Sequence, residues 1–393
     1  MRMPIFLKMN ILNWIRKGEV NETAEKKVFT EINSKNYSAT YGPKYVTIDI
    51  TNRCNLNCIV CWTYSPYLRK NKPSKTWYSN ELSFDTVSKL INDLKKLKTR
   101  EIRLTGGGEP FMHPDIFEII ELIKEKGFVI DITTNFTLLS QDKIRRLVSL
   151  GVDNLTISLW AATQKTYVKT HPRENEETFE RLKSNIVYLN KIKKNTKVVI
   201  ANVLSKLNYH EAYDMVSLAK ELGSDEVYFA MMDPVHETRP LLLSKKEQKE
   251  LKMLFLRLIK DYGSKKFGNL RIDNPENILR RIDNKRMHSG FYDSNIIYNL
   301  PCTIGYTFSR IMANGDVAPC CKSVMIPTGN INRENFIKIW NSQKQMAFRK
   351  IGLDLKSHPG FVEKVGCLKT CDNLMQNIET YEKMKHYKNE ASE

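Results

Sequence analysis

The chain has 393 residues, of which 62 are basic and 44 acidic, so its formal net charge is +18. This length predicts one large and one smaller domain, and the hydrophobic content of 41% predicts a packed core rather than disorder. No apolar run approaches the ~20 residues of a membrane span. The lysines are spread among acidic residues, as on solvated helix faces, so ordinary surface charge explains the net charge better than nucleic-acid binding does.

Six short segments rich in β-branched residues are predicted strands: 45–50, 101–105, 129–134, 154–159, 198–203 and 226–230. The segments between them place apolar residues three and four apart and are predicted helices: 84–97, 114–126, 141–150, 177–192 and 211–222. Strictly alternating strands and helices predict an α/β fold with a parallel sheet or partial (β/α)6 barrel. Active sites of such folds lie at the carboxyl ends of the strands.

Three of the eight cysteines, Cys54, Cys58 and Cys61, follow the first predicted strand. Thiolate-rich sites hold iron–sulfur clusters or zinc. Clustered cysteines favour metal chemistry over disulfides in a reducing compartment, so we expect a cytoplasmic protein. Three ligands, rather than the four of a structural site, leave one metal position open to a substrate or cofactor.

In this context the Cys-x3-Cys-x2-Cys spacing makes residues 45–235 resemble the radical S-adenosylmethionine (SAM) superfamily. The resemblance implies a [4Fe-4S] cluster on Cys54, Cys58 and Cys61, with SAM on the open iron and reductive cleavage to a 5'-deoxyadenosyl radical. One position departs from the family pattern: Val60 stands where an aromatic residue is usual, and Trp62 follows the third cysteine instead. This change affects packing beside the cluster rather than ligation.

Further positions resemble those that hold SAM in the family. Gly107, Gly108 and Glu109, after the second strand, look like the glycine-glycine-glutamate motif, whose backbone and carboxylate receive the methionine amino group. An ordinary strand-to-helix turn is the alternative. Three more residues resemble contacts of the ribose or carboxylate, with capping or surface roles as the alternative: Ser158, Arg173 and Asn202.

The remaining cysteines lie beyond residue 300: Cys302, Cys320, Cys321, Cys367 and Cys371. Asn314-Gly315 predicts a hairpin with positive φ at both central positions, which folds Cys320 back beside Cys302. With a predicted helix over 336–348, this pattern resembles the SPASM or shortened twitch extension of radical SAM enzymes, an α+β domain that binds auxiliary [4Fe-4S] clusters. The full SPASM pattern has seven cysteines and two clusters, so five cysteines favour the twitch form with one auxiliary cluster.

Neighbouring residues on a strand point to opposite faces, so only one of Cys320 and Cys321 is expected to bind this cluster. The spacing from the hairpin glycine favours Cys320, with Cys302, Cys367 and Cys371 as the other ligands. Cys321 is then a small core residue. A structural zinc site on the same cysteines is the alternative.

These assignments divide the chain into an N-terminal helical lead-in (1–44), a radical SAM partial barrel (45–240), a helical connection (241–299) and an auxiliary-cluster domain (300–393). The resemblance implies hydrogen abstraction from a small polar molecule, such as a sugar or aminocyclitol, or from a peptide. It also implies a reductant such as flavodoxin or ferredoxin. The alternatives are modification of RNA, biosynthesis of a tetrapyrrole or molybdopterin cofactor, and a non-catalytic zinc module. Three residues past the sixth strand are candidate proton acceptors: Asp233, His236 and Glu237.

Overall fold

One sheet organises residues 22–390, the part of the chain that the computed structural model describes. All six predicted strands are present: β1 (Tyr45–Asp49), β2 (Glu101–Thr105), β3 (Val129–Thr134), β4 (Asn154–Ser158), β5 (Lys197–Leu204) and β6 (Glu226–Met231). Four more follow in the chain: β7 (Arg271–Ile272), β8 (Phe308–Ile311), β9 (Asp316–Ala318) and β10 (Gly329–Asn330). Most of the predicted lead-in, residues 1–21, lies outside the described residues.

The strand order is β10-β9-β8-β1-β2-β3-β4-β5-β6-β7, and the run from β8 to β7 is parallel throughout. The order is linear, so the predicted partial barrel is confirmed as an open one. Sequence reasoning did not predict that β8, from the C-terminal region, pairs with β1. This pairing covers an edge whose N–H and C=O groups would otherwise be unpaired.

Eight α-helices precede β6 among the described residues. They are α1 (Glu22–Asn33), α2 (Lys75–Tyr78), α3 (Phe84–Lys96), α4 (Ile116–Glu125), α5 (Gln141–Ser149), α6 (Gln164–Thr170), α7 (Glu176–Ile192) and α8 (Ala212–Glu221). The apolar stripe of α3, for example, is buried at Val87, Leu90, Ile91 and Leu94, and Ser83 caps its first turn. All five predicted helices between the strands are confirmed.

The connection and the C-terminal region are mostly helical. Their helices are α9 (Lys245–Gly263), α10 (Pro275–Ile282), α11 (Ile304–Thr307), α12 (Phe336–Trp340), α13 (Gln343–Leu353), α14 (Pro359–Val365) and α15 (Leu374–Glu390). Among the described residues, no helix combines the length and apolarity that crossing a membrane requires.

Two local predictions were wrong in detail. The helix predicted over 336–348 is two helices, because Ser342 caps α13 by accepting a hydrogen bond from Gln345 N and Asn341 binds the backbone of Ala39. The β8–β9 hairpin is confirmed, but only its Gly315 has positive φ (86°), and its N–H donates to the carbonyl of Met312. This is a turn followed by a glycine bulge.

Candidate functional site

The loop after β1 carries the first cysteine group and is fixed by Tyr64. The Tyr64 hydroxyl donates to the carbonyl of Asn52 (2.6 Å) and accepts from the backbone N–H of Cys54 (3.1 Å). The N–H of Cys61 donates to the carbonyl of Cys58 (3.0 Å), which closes the other end of the loop. Backbone N–H groups also face sulfur: Tyr64 N lies 3.4 Å from Cys61 Sγ. These contacts hold the three thiols on one short, ordered turn.

The three thiols influence one another electrostatically. Burial, with smaller contributions from the nearby Glu109 and Cys61, raises the pKa of Cys54 to about 12, while Arg173 opposes them. Burial also raises the pKa of Cys58 well above its ordinary value, with Cys61 and Cys54 adding to the effect. Thiolates here require a compensating cation, which an iron–sulfur cluster supplies. No three His, Cys, Asp or Glu among residues 22–390 lie close enough together to hold a single metal ion.

The glycines after β2 allow close approach to this loop. A Cβ on Gly108 would lie 2.0 Å from the carbonyl oxygen of Arg53, next to the first cysteine, and one on Gly107 would lie 2.3 Å from Asn52 Oδ1. The N–H of Glu109 donates to the same Arg53 carbonyl (2.8 Å). The glycine pair therefore has a packing role in addition to the predicted contact with SAM.

Glu109 is 3% exposed, and protein donors occupy both of its carboxylate oxygens. Oε1 accepts from Thr134 Oγ1 (2.7 Å) and Phe111 N (3.2 Å), and Oε2 accepts from Asn135 N (2.7 Å). Burial raises the pKa of Glu109 to about 7, against the effect of these hydrogen bonds. The side chain joins the carboxyl ends of β2 and β3, a structural contact that the sequence did not indicate.

Two buried polar atoms beside the cysteine loop have no hydrogen-bond partner among the described residues: Asn57 Oδ1, within the loop, and Trp160 Nε1, after β4. Trp160 adopts a left-handed backbone (φ 59°), which is uncommon for a bulky residue and concentrates at functional sites. Its side chain packs with Ile59 and Val60 of the loop. An unpaired donor and acceptor at this place fit a bound cofactor.

The three further residues predicted to contact SAM are not brought together. Ser158 ends β4 and is half-buried on the inward face, and Arg173 is exposed between α6 and α7 but close enough to lower the pKa of Cys54. Asn202 lies on the same face of β5 as Ile200 and Leu204, whose side chains join the core under the helices. Asn202 is fully buried there, and neither of its side-chain polar atoms has a partner among the described residues.

The proposed proton acceptors have different surroundings. Asp233 pairs with Lys322 of the C-terminal region, and its carbonyl accepts a hydrogen bond from Trp62 Nε1 (3.2 Å). Glu237 accepts hydrogen bonds from Asn71, which lower its pKa to about 2. His236 is exposed at the start of a 3-10 segment, His236–Leu241. Asp233 thus lies at the interface with the C-terminal region.

The second cysteine group is assembled by backbone contacts from several elements. The N–H of Cys302 donates to the carbonyl of Gly352 (2.8 Å), and the N–H of Cys371 donates to Asp293 (2.7 Å), which is fully buried and paired with Arg281. These hydrogen bonds fix Cys302 and Cys371 relative to the helices around them.

The charges that perturb the cysteine pKa values distinguish Cys302, Cys367 and Cys371 from the adjacent pair Cys320 and Cys321. Burial raises the pKa of Cys302 to about 12, with Cys320 adding to it. The pKa values of Cys367 and Cys371 are likewise raised by burial and then by members of the group formed by Cys302, Cys320, Cys367 and Cys371. That of Cys321 is raised by burial and then mainly by Asp372, with Cys320 a minor contributor. Cys320, whose pKa is raised by burial and by Asp372, shares this acidic neighbour with Cys321, so the choice of Cys320 over Cys321 as a cluster ligand stays a prediction.

Sequence analysis missed a set of charged pairs inside the barrel. Arg103 on β2 pairs with Asp131 on β3 (2.8 Å), and Arg310 on β8 pairs with Asp49 on β1 (2.7 Å). These residues alternate with the apolar residues that face the helices, so strand periodicity offered a signal for them.

Each of the two cysteine regions matches a known protein family or domain. The chain matches the Radical SAM superfamily over residues 48–219 and SPASM, an iron-sulfur cluster-binding domain, over residues 302–371.

Two curated relatives illustrate the similarity. The chain is 25% identical over 332 residues to an AdoMet-dependent heme synthase of Methanosarcina barkeri, a match that covers 79% of this chain and 85% of the synthase. It is 26% identical over 197 residues to a tungsten-containing aldehyde ferredoxin oxidoreductase cofactor-modifying protein of Pyrococcus furiosus. That match covers 49% of this chain and spans only about half (52%) of the relative.

Among solved structures, Streptococcus suis SuiB bound to S-adenosylmethionine has a TM-score of 0.63 at 18% identity, covering 88% of this chain and 78% of SuiB. SuiB bound to its precursor peptide SuiA gives a TM-score of 0.61. At this identity the likeness establishes the fold alone.

Proposed function

Because the chain belongs to the radical SAM superfamily and carries a C-terminal SPASM domain, we propose that it abstracts hydrogen from a small polar molecule or a peptide. In this family a [4Fe-4S] cluster and SAM supply a 5'-deoxyadenosyl radical when both are bound, and the SPASM domain carries auxiliary iron–sulfur clusters. The observation that carries the proposal is the pair of separate cysteine groups, one in the loop after β1 and the other in the C-terminal region, whose strand β8 pairs with β1.

In this proposal Cys54, Cys58 and Cys61 hold the radical cluster, and Tyr64 fixes their loop. Because Gly107 has no side chain, the loop after β2 can lie close to the cysteine loop. The unpaired Trp160 Nε1 and Asn57 Oδ1 offer a donor and an acceptor to the cofactor. Ser158 and Arg173 remain proposed SAM contacts, whereas Asn202, buried on the helix-facing side of β5, does not fit the contact that the sequence predicted.

Cys302, Cys320, Cys367 and Cys371 hold one auxiliary [4Fe-4S] cluster in the proposal, which assists substrate oxidation or anchors the substrate. Lys322, directly after Cys320 and Cys321, connects the auxiliary-cluster region with the radical SAM region. It pairs with Asp233, and its ammonium lies 5.5 Å from the ring centroid of Trp62, the residue after Cys61.

Asp233 is the best placed of the three candidate proton acceptors, because it lies between the two cysteine regions and its Oδ1 is buried without a partner among the described residues. The electron source in this proposal is flavodoxin or ferredoxin, in the cytoplasm. A peptide substrate has support from the precursor peptide bound to SuiB.

The second candidate function is biosynthesis of a tetrapyrrole cofactor. The heme synthase supports it, because that match covers 85% of the relative, including the region beyond the radical SAM domain. Turnover of a porphyrin precursor, rather than of a peptide or small polar molecule, would favour this candidate.

The experiment that tests the proposal replaces Cys54, Cys58 and Cys61 together by Ala. We expect reductive formation of 5'-deoxyadenosine to stop, while iron falls from about eight to about four per chain because the auxiliary cluster stays. A matched variant, Cys321→Ala, removes a thiol outside both groups and should leave both measurements unchanged. Persistent 5'-deoxyadenosine formation in the triple variant, or zinc in place of iron in the wild type, contradicts the proposal.

A further inference from the structure

A pocket lies at the amino-terminal ends of β1, β2 and β8, the end of the sheet opposite to the first cysteine loop. Residues of α1 and α15 form its other walls. Its volume is about 130 Å³, close to the roughly 150 Å³ of an engineered protein cavity that binds benzene. The described residues that line it include none of those assigned to SAM or to the iron–sulfur clusters. The pocket is therefore a separate site, with room for one aromatic ring.

Three polar residues stand side by side where the sheet borders this pocket. Strand β1 pairs in parallel with β8 on one side and with β2 on the other, and both pairings start at Tyr45. Lys44, Arg100 and Thr307 directly precede β1, β2 and β8, and all three line the pocket. The N–H of Arg100 donates to the carbonyl of Lys44 (3.2 Å). Since neighbouring strands lie about 4.8 Å apart, the three residues are close neighbours.

Two uncharged polar groups of the pocket lining lack hydrogen-bond partners among residues 22–390. Thr307 is 8% exposed, and its Oγ1 is buried without a partner. Gln376 of α15 accepts a hydrogen bond at Oε1 from Asn373 Nδ2 (3.2 Å), while its Nε2 is buried and has none. A buried hydroxyl or amide without a partner destabilises a protein. A ligand that accepts hydrogen bonds from both groups removes this penalty.

Two tyrosine rings belong to the pocket walls. Tyr306 is 1% exposed, and its hydroxyl donates to the carbonyl of Asn36 (3.1 Å), which fixes the ring. Tyr41 supplies the other ring, and the ammonium of Lys98 lies 5.3 Å from its centroid. Both tyrosines line the pocket. Aromatic rings pack favourably against one another in offset or edge-to-face arrangements, so these walls favour an aromatic ligand.

The charge of the pocket lining is positive. Its described residues include four cations and one acid: Lys44, Lys98, Arg100, Lys383 and Glu379. Glu379 lies 2.9 Å from Lys383 and balances that charge, which leaves an excess of three positive charges. The lining therefore favours an anion.

We propose that this pocket binds an aromatic monocarboxylate. The ring lies against Tyr41 and Tyr306, and the carboxylate accepts hydrogen bonds from Thr307 Oγ1 and Gln376 Nε2 beside the cation Arg100. Because the buried donors are uncharged, a phosphate dianion loses more hydration on entry than these donors restore, and a carboxylate is the better match. The site goes beyond the proposed function, since neither the clusters nor SAM take part in it.

Ligand binding tests the site without turnover. The reconstituted full-length protein is added anaerobically to 4-fluorobenzoate, and fluorine NMR of this ligand gives the Kd. We expect saturable binding with a Kd of about 1 mM or lower. The neutral isostere 4-fluorobenzamide should bind at least about tenfold more weakly, because hydrogen bonds to a charged group are the stronger ones. Phenyl phosphate should displace 4-fluorobenzoate less effectively than benzoate does.

Thr307→Val keeps the shape of the side chain and removes its hydroxyl. The affinity for 4-fluorobenzoate should fall at least about fivefold, while the thermal stability of the ligand-free protein stays unchanged or rises. Thr99→Val is the matched control. Thr99 is 7% exposed and its Oγ1 also has no partner within the described part of the chain, but it does not line the pocket. This variant should keep the wild-type affinity.

Arg100→Gln removes a charge from the pocket and should weaken binding at least about threefold. Arg146→Gln is its control, because Arg146 is also exposed and its guanidinium lies 4.4 Å from the ring centroid of Phe117, yet it lies on α5, outside the pocket. The affinity of Arg146→Gln for 4-fluorobenzoate should equal that of the wild type.

Any of four results would overturn the proposal. The first is the absence of saturable 4-fluorobenzoate binding, and the second is equal affinity for 4-fluorobenzamide. The third is stronger displacement by phenyl phosphate than by benzoate. The fourth is an affinity that Thr307→Val leaves unchanged, or that Thr99→Val or Arg146→Gln lowers as much as the pocket variants do.

Discussion

Replacing Glu109 by glutamine should change how the stability of the apo-protein depends on pH. The side chain is 3% exposed, and burial raises its pKa from 4.5 to about 7. Between these pH values the folded protein binds a proton at Glu109 that the unfolded chain does not bind. The contribution of this proton to stability is complete below pH 4.5 and is lost as pH rises through 7.

The magnitude follows from the same two values. The difference between 4.5 and about 7 corresponds to roughly 3 kcal/mol, an upper estimate for one buried carboxyl group. A glutamine side chain does not titrate, so the Glu109→Gln variant lacks this dependence. The free energy of unfolding of the wild type, minus that of the variant, should therefore fall by up to roughly 3 kcal/mol between pH 4.5 and 8.

Guanidinium chloride unfolding of both proteins, followed by tryptophan fluorescence at several pH values, measures this difference. Subtraction cancels the titration of every group that the two proteins share. Glu118→Gln, at a half-exposed position on α4, is the control and should give a difference that stays within about 0.5 kcal/mol. The free energy of unfolding of the wild type, minus that of Glu109→Gln, could instead stay constant or grow with pH. In that case the hydrogen bonds from Thr134 and Asn135 stabilise the ionised carboxylate, and the reasoning from burial is refuted.

Two further predictions concern packing and cluster ligation. Gly108→Ala should destabilise the protein and distort the first cysteine loop, since the new Cβ would lie 2.0 Å from the Arg53 carbonyl oxygen. Gly263→Ala is the control: open space surrounds the new Cβ, so this variant should be neutral or stabilising. Thermal unfolding measures both effects. Cys320→Ala should lower iron from about eight to about four per chain while Cys321→Ala leaves it near eight, and the reverse outcome in iron analysis would exchange their roles.

The sequence was sufficient for much of the architecture. Six strands and five helices were predictable, because burying one face imposes a period of two or 3.6 on the apolar residues. The cysteine spacings were equally informative, since three thiols within eight residues must lie on one turn. Family comparison then assigned both regions, the radical SAM region at 48–219 and the SPASM domain at 302–371.

The side-chain partners that residues find across the sheet were harder to predict from the sequence. The sequence placed Glu109 at the end of β2, but its hydrogen bonds to Thr134 and Asn135 depend on the pairing of β2 with β3. Asn202 was predictable on β5, but this strand is buried on both faces, so only the structure assigns Asn202 to the helix-facing side with Ile200 and Leu204.

What the sequence by itself determined was therefore local: which segments alternate, where chain turns occur and which residue types cluster within a few positions. Tertiary structure alone decided the long-range pairs, such as β8 beside β1, Arg103 with Asp131, and Lys322 with Asp233. The physical reason is that a strand pattern fixes which residues face inward but not which strand becomes the neighbour. That choice depends on the burial and charge of the whole chain at once.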